Sequence, residues 1–283
     1  MKILRSVNAL RRWRKQRHVE DALLGFVPTM GALHAGHRSL MKRARRSCQN
    51  VVVSIFVNPL QFSPTEDLDE YPRPRRADIA ICRNERIDAV FIPKRQDLYS
   101  SDFQTFVTVN HLGQRWEGAQ RNTHFQGVTT VVTKLFHLVK PDCAYFGQKD
   151  YQQLCIVRRM VEDLNHDVQI VRCPTIREAD GLALSSRNKY LSEHARQRAP
   201  LLYQALQAGK SAIQRGAASV SRIEALMRRV VEDESHAKVD YLAVCHADTL
   251  EPLKHAQGKM VLLGAIRLGK VRLLDNLLVQ ISR

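Results

Sequence analysis

The segment Pro28-Thr29-Met30-Gly31-Ala32-Leu33-His34-Ala35-Gly36-His37 lies where an apolar run ends and a helical pattern begins. The apolar run Leu23 to Val27 predicts a strand, and the pattern from Gly36 to Cys48 predicts a helix. A strand, a glycine turn and a helix N-terminus form a phosphate cradle, because unpaired backbone N–H groups and the helix dipole face the anion. Histidines in that turn, His34 and His37, can donate to charge that develops on a phosphate.

Short apolar runs alternate with helical patterns over the first part of the chain. The order predicted after the opening strand and helix is strand Val51–Val57, helix Arg75–Glu85, strand Ala89–Ile92, helix Val128–Val139, strand Cys143–Phe146, helix Tyr151–Leu164 and strand Val168–Val171. This β-α-β-α order favours an α/β fold with a Rossmann-like doubly wound parallel sheet, because parallel strands need helical crossovers. The continuous apolar runs fit strands buried on both faces.

The sequence changes in character after Pro174 and Arg187. A long helical stretch is predicted from Glu193 to Glu234, and strands are predicted at Tyr241–His246, Met260–Leu268 and Leu278–Ile281. These elements indicate a smaller α+β C-terminal domain. We therefore expect two domains, residues 1–175 and residues 176–283.

The composition is typical of a globular protein, with 283 residues, 44% hydrophobic and 25% charged. No apolar run approaches the roughly 20 residues that cross a bilayer, so we expect no membrane partner. Six cysteines lack C-x-x-C spacing, and several fall in apolar segments. This usage predicts buried, reduced thiols and a cytoplasmic location.

The net charge of +16 fits either a nucleic-acid-binding protein or a basic enzyme that handles anions. The basic residues are spread along the chain, and the few aromatics, 6%, are not interleaved with them, so we expect no nucleic-acid partner. The first 17 residues are rich in Lys and Arg and contain no acid, as in some transit peptides. The spacing of Ile3–Leu4, Val7, Leu10 and Trp13 instead predicts a short strand and an amphipathic helix, which we favour.

Unusual polar residues follow four of the predicted strands directly. Ligands of open α/β sheets bind beyond the carboxyl ends of the strands, so these clusters are expected at one edge. Each cluster alone could be a loop or a helix cap, but four together are hard to attribute to capping. They are Pro28–His37; Asn58–Phe62; Gly147–Asp150 with Gln152 and Gln153; and Thr175, Arg177, Asp180–Gly181 and Leu184–Asn188.

Each cluster has a chemical interpretation. Lys149 is a mobile charge suited to a phosphate, and Asp150 could accept from ribose hydroxyls or cap the next helix. The run 185–187 offers two hydroxyls and a guanidinium to phosphate oxygens. Gln61 and Gln153 are neutral amides, able to hold hydroxyl and carboxylate oxygens without neutralising a carboxylate nucleophile.

Several common nucleotide and nucleophile motifs are absent from the sequence. It contains no G-x-x-x-x-G-K-[ST], no G-x-G-x-x-G and no G-x-S-x-G. These absences argue against a P-loop enzyme, a nicotinamide dehydrogenase and a serine hydrolase with a nucleophile elbow.

The spacing His-x-Gly-His is similar to the signature of nucleotidylyltransferases and class I aminoacyl-tRNA synthetases. Six further segments indicate one family within this group. The chain resembles the pantothenate synthetase (pantoate–β-alanine ligase) family over essentially its full length. Seven segments in the family's order are far more specific than any one of them. They are Pro28–His37, Ser54–Phe62, Glu66–Arg73, His124–Val128, Phe146–Leu154, Asp180–Asn188 and Arg267–Asn276.

The resemblance implies ATP-dependent condensation of (R)-pantoate with β-alanine through a pantoyl adenylate, with release of AMP and pyrophosphate. It also implies Mg²⁺ on the ATP phosphates and a homodimer whose second domain acts as a lid. The catalytic residues that it implies are His37, His34 and Lys149.

The resemblance further implies binding residues for each substrate. Those for pantoate and β-alanine are Gln61, Gln153 and Asn58. Ile176 is expected to contact adenine through its backbone. The residues implied for ATP are Met30, Gly31, Ala32, Leu33, His34, Ala35, Gly36, His37, Gly147, Gln148, Lys149, Asp150, Ile176, Leu184, Ser185, Ser186 and Arg187.

Two departures from the family pattern bear on the site. The family often has Arg-Pro-Gly-His-Phe where this chain has Arg121-Asn122-Thr123-His124-Phe125, which changes the freedom of the loop, so no substrate role is carried over there. After Tyr71-Pro72-Arg73 the family tends to be acidic. Here Arg75-Arg76-Ala77 leaves Asp78 as the one candidate acidic ligand of magnesium in that segment.

Two other functions compete with this interpretation. One is another nucleotidylyltransferase of the same fold that makes a dinucleotide or a CDP-alcohol. Asn58, Gln61 and Gln153 suit a small hydroxy acid better than a second nucleotide. The other is an RNA-binding protein derived from a synthetase core, which predicts loss of His37 or Lys149, and both residues are present.

Overall fold

The computed structural model describes residues 1–17, 22–63, 68–232 and 237–281, and the chain in it divides into two compact units. The first unit comprises Met1–Gly147 and Gln152–Pro174. The second comprises Gln148–Tyr151 and Thr175–Arg283. The four residues Gln148–Tyr151 thus group with the second unit, although strands of the first unit flank them in the sequence.

The first unit is built around six strands, β1 to β6. The strands are β1 (Lys2–Leu4), β2 (Leu24–Thr29), β3 (Asn50–Ile55), β4 (Ala89–Phe91), β5 (Cys143–Gly147) and β6 (Gln169–Cys173). The helices between them are α1 (Val7–Arg17), α2 (Ala35–Ser47), α3 (Arg75–Asn84), α4 (Arg95–Leu98), α5 (Asn110–Gly113), α6 (Glu117–Gln120), α7 (His124–Val139) and α8 (Tyr151–Asp163). Two 3₁₀ turns follow β3 and β5, at Pro59–Gln61 and Gln148–Asp150.

All six strands are parallel, in the order β1-β4-β3-β2-β5-β6. The chain winds outward from β2 through β3 to β4 and resumes at β5 on the other side of β2. The strand order therefore reverses between β2 and β5, and ligands of doubly wound sheets bind at such a point. The predicted doubly wound parallel sheet is confirmed.

The central strands are buried because helices cover both faces of the sheet. Every residue of β3 is buried, and Phe26 and Val27 of β2 are fully inaccessible. All six cysteines are buried free thiols. None of the helices in the described ranges combines the length and the apolar character that crossing a bilayer requires.

The second unit is an antiparallel sheet with helices. Its strands, in the order β7-β8-β9, are β7 (Ala237–His246), β8 (Lys259–Leu268) and β9 (Val271–Gln280). Its helices are α9 (Glu193–Arg198), α10 (Leu201–Gln214) and α11 (Val220–Glu232), preceded by a 3₁₀ segment at Ser186–Tyr190. Leu206, Met227, Leu262 and Ile266 are fully buried in its core.

The elements match their predicted positions closely in the first unit and less well in the second. The opening strand and amphipathic helix are confirmed as β1 and α1. Helix α7 begins at His124, four residues before the predicted start. The single helical stretch predicted from Glu193 is three helices, interrupted near Pro200 and Gly216, and its predicted end, Glu234, lies outside the described residues.

The last strand was predicted too short. Strand β9 begins at Val271 rather than Leu278, so polar residues occupy its first half. These residues have partners within the second unit. The guanidinium of Arg272 donates to Asp240, and Asp275 accepts from Arg177. A strand can carry charged residues inward when each charge is paired, and the alternation used to predict strands then disappears.

Candidate active site

The turn that follows β2 is held by a buried carboxylate. Gly31 and Ala32 adopt left-handed backbone conformations, with φ of +86° and +51°. Asp78, at the start of α3 and only 1% exposed, accepts hydrogen bonds from the backbone N–H groups of Ala32 at 3.1 Å and Leu33 at 2.8 Å. An alanine in this conformation is strained, and the two charge-assisted bonds offset that strain.

His34 and His37 are fixed by the backbone at the N-terminus of α2. The Nδ1 atom of His34 accepts from the N–H of Gly36 at 3.1 Å, and Nδ1 of His37 accepts from the N–H of His34 at 3.3 Å. The two rings lie with centroids 4.2 Å apart. An Nδ1 that accepts a hydrogen bond leaves the proton of a neutral imidazole on Nε2. Both histidines are therefore set up as Nε2–H donors.

Gly36 is required by the close approach of the His34 ring. A Cβ at position 36 would lie 2.8 Å from Cε1 and 2.9 Å from Nδ1 of His34. Any larger residue would displace the ring that caps α2. The half-buried imidazoles, the helix dipole and the backbone N–H groups of the first turn all favour an anion at this end of the helix.

Asn58 and Gln61 follow β3, and both are buried and hydrogen-bonded to each other. Asn58 is 1% exposed, and its amide is used entirely within the protein. Its Nδ2 donates to Oε1 of Gln61 at 3.0 Å and to the carbonyl of Gly127 at 2.9 Å, while its Oδ1 accepts from the hydroxyl of Tyr99 at 2.8 Å. Asn58 therefore orients Gln61 and anchors it to α7.

Arg121 and His124, at the departure from the family pattern, also contact Gln61. His124 Nδ1 lies 2.9 Å from the carbonyl oxygen of Gln61, and Arg121 Nη2 donates to the same oxygen at 3.3 Å. The segment that lacks the family's proline and glycine thus helps to fix the backbone of Gln61.

The adjacent residues Gln152 and Gln153 on α8 differ in burial and in hydrogen bonding. Gln152 is 5% exposed and donates to the carbonyls of Leu112 and Arg115, each at 2.7 Å. Gln153 is half-buried, and its amide forms no hydrogen bond with any residue in the described part of the chain. Gln153 is thus the one of the two whose amide is available to a ligand.

Lys149 is positioned by strand β9 of the second unit. Asn276, 1% exposed, donates through Nδ2 to the carbonyls of Gln148 and Lys149, each at 2.9 Å. Its Oδ1 accepts from Nε2 of Gln148 at 3.3 Å. Lys149 Nζ lies 3.3 Å from a carboxylate oxygen of the exposed Asp150.

The loop that carries Ser185–Arg187 is braced by charged pairs of the second unit. Arg177 donates to Asp275 through both terminal nitrogens, one of them at 2.9 Å, and its guanidinium stacks 3.9 Å from the ring centroid of Tyr203. The Oγ atom of Ser185 accepts from the N–H of Arg187 at 3.2 Å. The carbonyl of Ile176 accepts from the N–H of Leu184 at 2.9 Å.

A small pocket of the second unit contains Lys149, Ser185 and Arg187 among its lining residues. Arg187 is exposed, whereas Ser185, Ser186 and Leu184 are half-buried. An ammonium group, a hydroxyl and a guanidinium in one pocket are the groups that hold phosphate oxygens. The structure therefore brings Lys149 together with Ser185 and Arg187, although more than thirty residues separate them in the sequence.

The donor set for a metal ion is limited. No group of three or more His, Cys, Asp or Glu side chains within the described ranges could hold an ion. Asp78, the candidate magnesium ligand, already accepts two backbone hydrogen bonds with its two oxygens. A magnesium ion would fit this site through nucleotide phosphates and water, which it retains readily, rather than through a cage of side chains.

Comparison with known proteins identifies the family. The sequence profile described as Pantoate-beta-alanine ligase matches residues 2–278. This chain belongs to the pantoate–β-alanine ligase family. The family recognised from the seven segments is confirmed.

Relatives across bacteria share the full length of this ligase. The pantothenate synthetase of Syntrophomonas wolfei is 44% identical over 99% of this chain and 100% of its own, and that of Rhizobium rhizogenes is 51% identical over 90% and 88%. A pantothenate synthetase structure from Thermus thermophilus has a TM-score of 0.93 and 46% identity over 98% of this chain and 99% of its own. A pantoate-beta-alanine ligase structure from Francisella tularensis, complexed with beta-gamma ATP and beta-alanine, has a TM-score of 0.81 and 33% identity over 98% and 97%.

Three residues of this ligase that brace the candidate site were not singled out by sequence reasoning. Asp275 and Asn276 lie in a segment that resembles the family, but were given no role, and Tyr203 was not considered. The signal for the first two was present, because an Asp-Asn pair interrupts the apolar strand β9. Nothing in the sequence connects Tyr203 with Arg177, which depends on how the chain folds back.

Replacing Asn276 should displace Lys149, although the side chain of Lys149 itself is unchanged. Asn276→Ala leaves two carbonyls without their buried donor, which costs about 1–3 kcal/mol. Asn276→Asp should be at least as damaging, because a carboxylate cannot donate to carbonyls. We expect both variants to have a lower Tm and a raised KM for ATP. Gln280→Ala, an exposed amide on the same strand, is the control, and a normal KM for ATP in Asn276→Asp would contradict this role.

Proposed function

We propose that this enzyme condenses (R)-pantoate with β-alanine at the expense of ATP, through a pantoyl adenylate, releasing AMP and pyrophosphate. Membership of the family supports this reaction. The observation that carries the mechanism is the pair His34 and His37, whose Nδ1 atoms both accept from the backbone, which places the proton of each neutral ring on Nε2.

In the first step we assign, a pantoate carboxylate oxygen attacks the α-phosphorus of ATP. A new O–P bond forms, and the bond from the α-phosphorus to the bridging oxygen breaks, so that pyrophosphate leaves. A carboxylate and a polyphosphate repel each other, and charge grows on the phosphoryl oxygens in the transition state. Nε2–H groups fixed before the reaction stabilise that charge without reorganisation.

In the second step, the amine of β-alanine attacks the acyl carbon of the adenylate. A C–N bond forms, AMP leaves with the electrons of the C–O bond, and the amine gives up a proton to solvent. The adenylate is a mixed anhydride that water can hydrolyse, so exclusion of water favours transfer to the amine.

Gln61 and Gln153 are assigned to pantoate, with Gln61 also near the β-alanine position. Their amides can bind hydroxyl and carboxylate oxygens and leave the nucleophile charged. Asn58 donates to Oε1 of Gln61 and so fixes the orientation of its amide. The Nε2 group of Gln61 then points away from Asn58. The place of Asn58 in the mechanism is therefore to orient Gln61 rather than to touch substrate.

ATP is assigned to Met30–His37, Gly147–Asp150, Ile176 and Leu184–Arg187. Lys149 and Arg187 attract the phosphates, and Asp150 accepts from the ribose. The carbonyl of Ile176 already accepts a hydrogen bond, so an adenine contact there would add a second donor to the same oxygen or use the Ile176 N–H. Mg²⁺ on the phosphates would neutralise part of their charge when it is bound.

The proposal includes a cytoplasmic location and a homodimer. Six buried thiols fit a reducing compartment.

The surface that we propose for a second copy is the stretch Gln104–Val109, which forms no helix or strand. Thr129 and Thr130 of α7 bond the carbonyl and N–H of Val107, while the neighbouring Phe106 is 47% exposed. An exposed backbone segment outside the sheet can pair with a segment of another copy.

The central test is pyrophosphate release from ATP in the presence of pantoate, with and without β-alanine. His37→Ala should slow this release by about 100-fold or more, as for other transition-state donors. His111→Ala, an exposed histidine of α5, should not. Release that does not depend on pantoate in the unaltered enzyme would reject the proposed reaction.

Gln153→Ala should separate pantoate binding from ATP binding. Loss of one neutral hydrogen bond is worth about 1 kcal/mol, so the KM for pantoate should rise about fivefold to tenfold while the KM for ATP changes little. Gln214→Ala, an exposed amide on α10, is the control. Equal increases in both KM values would refute the assignment.

Phe106→Asp should convert the dimer into monomers. A charge in a strand pairing between two copies is costly, whereas it is tolerated on an exposed surface. Sedimentation velocity of the unaltered chain, this variant and the control Leu226→Asp measures the change. Leu226 is 36% exposed on α11. A dimeric Phe106→Asp, or a monomeric unaltered chain, would contradict this surface.

A further inference from the structure

Tyr99 is a buried aromatic residue of the first unit to which the proposed mechanism gives no part. It follows α4 directly and is 8% exposed. Its hydroxyl donates to Oδ1 of Asn58 at 2.8 Å, across 41 positions of sequence. Asn58 in turn donates to Gln61, so a single residue separates the Tyr99 hydroxyl from a side chain that we assign to pantoate.

Two backbone groups determine which end of the Asn58 amide carries the oxygen. The carbonyl of Gly127 can only accept, and it lies 2.9 Å from Nδ2 of Asn58. The N–H of Leu60 can only donate, and it lies 3.3 Å from Oδ1. The hydroxyl of Tyr99 faces the same Oδ1 and must therefore donate. Burial raises the pKa of Tyr99, so the hydroxyl keeps the proton that it donates.

The same reasoning fixes the amide of Gln61. The Nδ2 group of Asn58 uses one hydrogen on Gly127 and the other on Oε1 of Gln61, at 3.0 Å. If the Gln61 amide were turned over, two NH₂ groups would face each other, donor against donor. The Oε1 end of Gln61 therefore faces Asn58, and its Nε2 end is the one that can donate to a ligand.

The ring of Tyr99 is held by neighbours on separate elements. Its centroid lies 6.2 Å from that of Phe56, which follows β3, and 4.9 Å from that of Phe103. The Nζ atom of Lys134, on α7, lies 5.8 Å from the same centroid. These contacts involve the ring and not the hydroxyl, so a phenylalanine at position 99 would retain them.

Loss of the Tyr99 hydroxyl would weaken the hold on the Asn58 amide, because Oδ1 would keep only the longer bond from Leu60. An Asn58 amide that turns over presents its oxygen to Oε1 of Gln61, acceptor against acceptor. Gln61 must then turn its Nε2 group towards Asn58 to restore a hydrogen bond. The donor is thereby withdrawn from the ligand.

We propose that Tyr99 is a positioning residue for pantoate, which acts through Asn58 to keep the Nε2–H donor of Gln61 directed at a substrate oxygen. This role rests on the proposed function, because pantoate is the ligand assigned to Gln61. It requires the pantoate group at Gln61 to be an acceptor, either a hydroxyl or a carboxylate oxygen. Since none of these three residues is assigned to ATP, the effect should fall on pantoate alone.

Steady-state kinetics of Tyr99→Phe test this role. The KM for pantoate should rise about fivefold, as for loss of one neutral hydrogen bond, while the KM for ATP changes less than about twofold. Tyr145→Phe is the matched control, because it also removes a buried hydroxyl of the first unit, one that contacts Sγ of Cys48. Equal increases in the two KM values, or the same rise for pantoate in Tyr145→Phe, would overturn the proposal.

The route through Gln61 is tested in a second background. In Gln61→Ala the donor is already lost, so the added Tyr99→Phe should raise the KM for pantoate no further, although it still lowers the Tm. A stabilising role that is independent of Gln61 would instead give the same rise in both backgrounds. That result would overturn the proposal.

Asn58→Asp tests the same network without changing Tyr99, and it decides the matter if Tyr99→Phe folds poorly. The carboxylate can accept from Tyr99 and Leu60 but cannot donate, so Gln61 should turn its Nε2 group towards position 58. The KM for pantoate should rise at least as much as in Tyr99→Phe, and a normal value would overturn the proposal.

The unaltered enzyme in the same assay separates this role from the proposed function. If it shows no pantoate-dependent pyrophosphate release, the proposed function fails, and the role of Tyr99 fails with it. If it shows that release and Tyr99→Phe has a normal KM for pantoate, only the positioning role fails.

Discussion

The contact between the Asp78 carboxylate and the backbone of Ala32 and Leu33 is the constraint on which the histidine site depends. It holds the left-handed turn at Gly31 and Ala32 between β2 and α2. That turn sets where α2 begins, and the first residues of α2 determine where both imidazole rings lie. Both oxygens of this buried carboxylate accept from backbone N–H groups, so neither is left without a partner. The N-terminal end of α2, where we propose that ATP binds, is thus organised by a carboxylate of the protein itself.

A recurring arrangement in this molecule is a candidate site residue held by the side-chain amide of a buried asparagine. Asn58 holds Gln61 in the first unit, and Asn276 holds the backbone of Gln148 and Lys149 in the second. An amide suits this task because it donates and accepts at once and adds no charge near a phosphate. Both asparagines are about 1% exposed, so water does not compete for their hydrogen bonds.

The parallel sheet and its edge could be predicted from the sequence because strong apolar runs and motif spacing are local signals. Leu24–Thr29 and Asn50–Ile55 lie within one or two residues of their predicted positions. The bracing of the candidate site could not be predicted, because it joins residues distant in sequence. Arg177 and Asp275 are 98 positions apart, and their charges made β9 look unlike a strand. Asn58 was predicted to bind substrate and Asp78 to bind magnesium. Their hydrogen bonds instead hold Gln61 and the turn at Ala32 in place.

The motif Glu66–Arg73 illustrates a different limit. Its first two residues, Glu66 and Asp67, lie outside the described residues, and its last, Arg73, lines a pocket at the ends of β3 and β4. The sequence already showed that the acids expected after Arg73 are replaced by Arg75 and Arg76. Only the structure shows that Arg75 shares a pocket with Lys94 and Arg95, which follow a different strand.

The grouping of Gln148–Tyr151 with the second unit has a consequence for how this protein can be divided. The chain leaves the first unit after β5, contributes four residues to the second, and returns before β6. A fragment starting at Thr175 would lack Lys149 and would leave the amide of Asn276 facing water or an empty position. No single cut can separate two self-sufficient modules. Recombining the halves of two relatives at residue 175 would therefore pair the lysine of one parent with the strand β9 of the other, and the Asn276 contact would have to match across the junction.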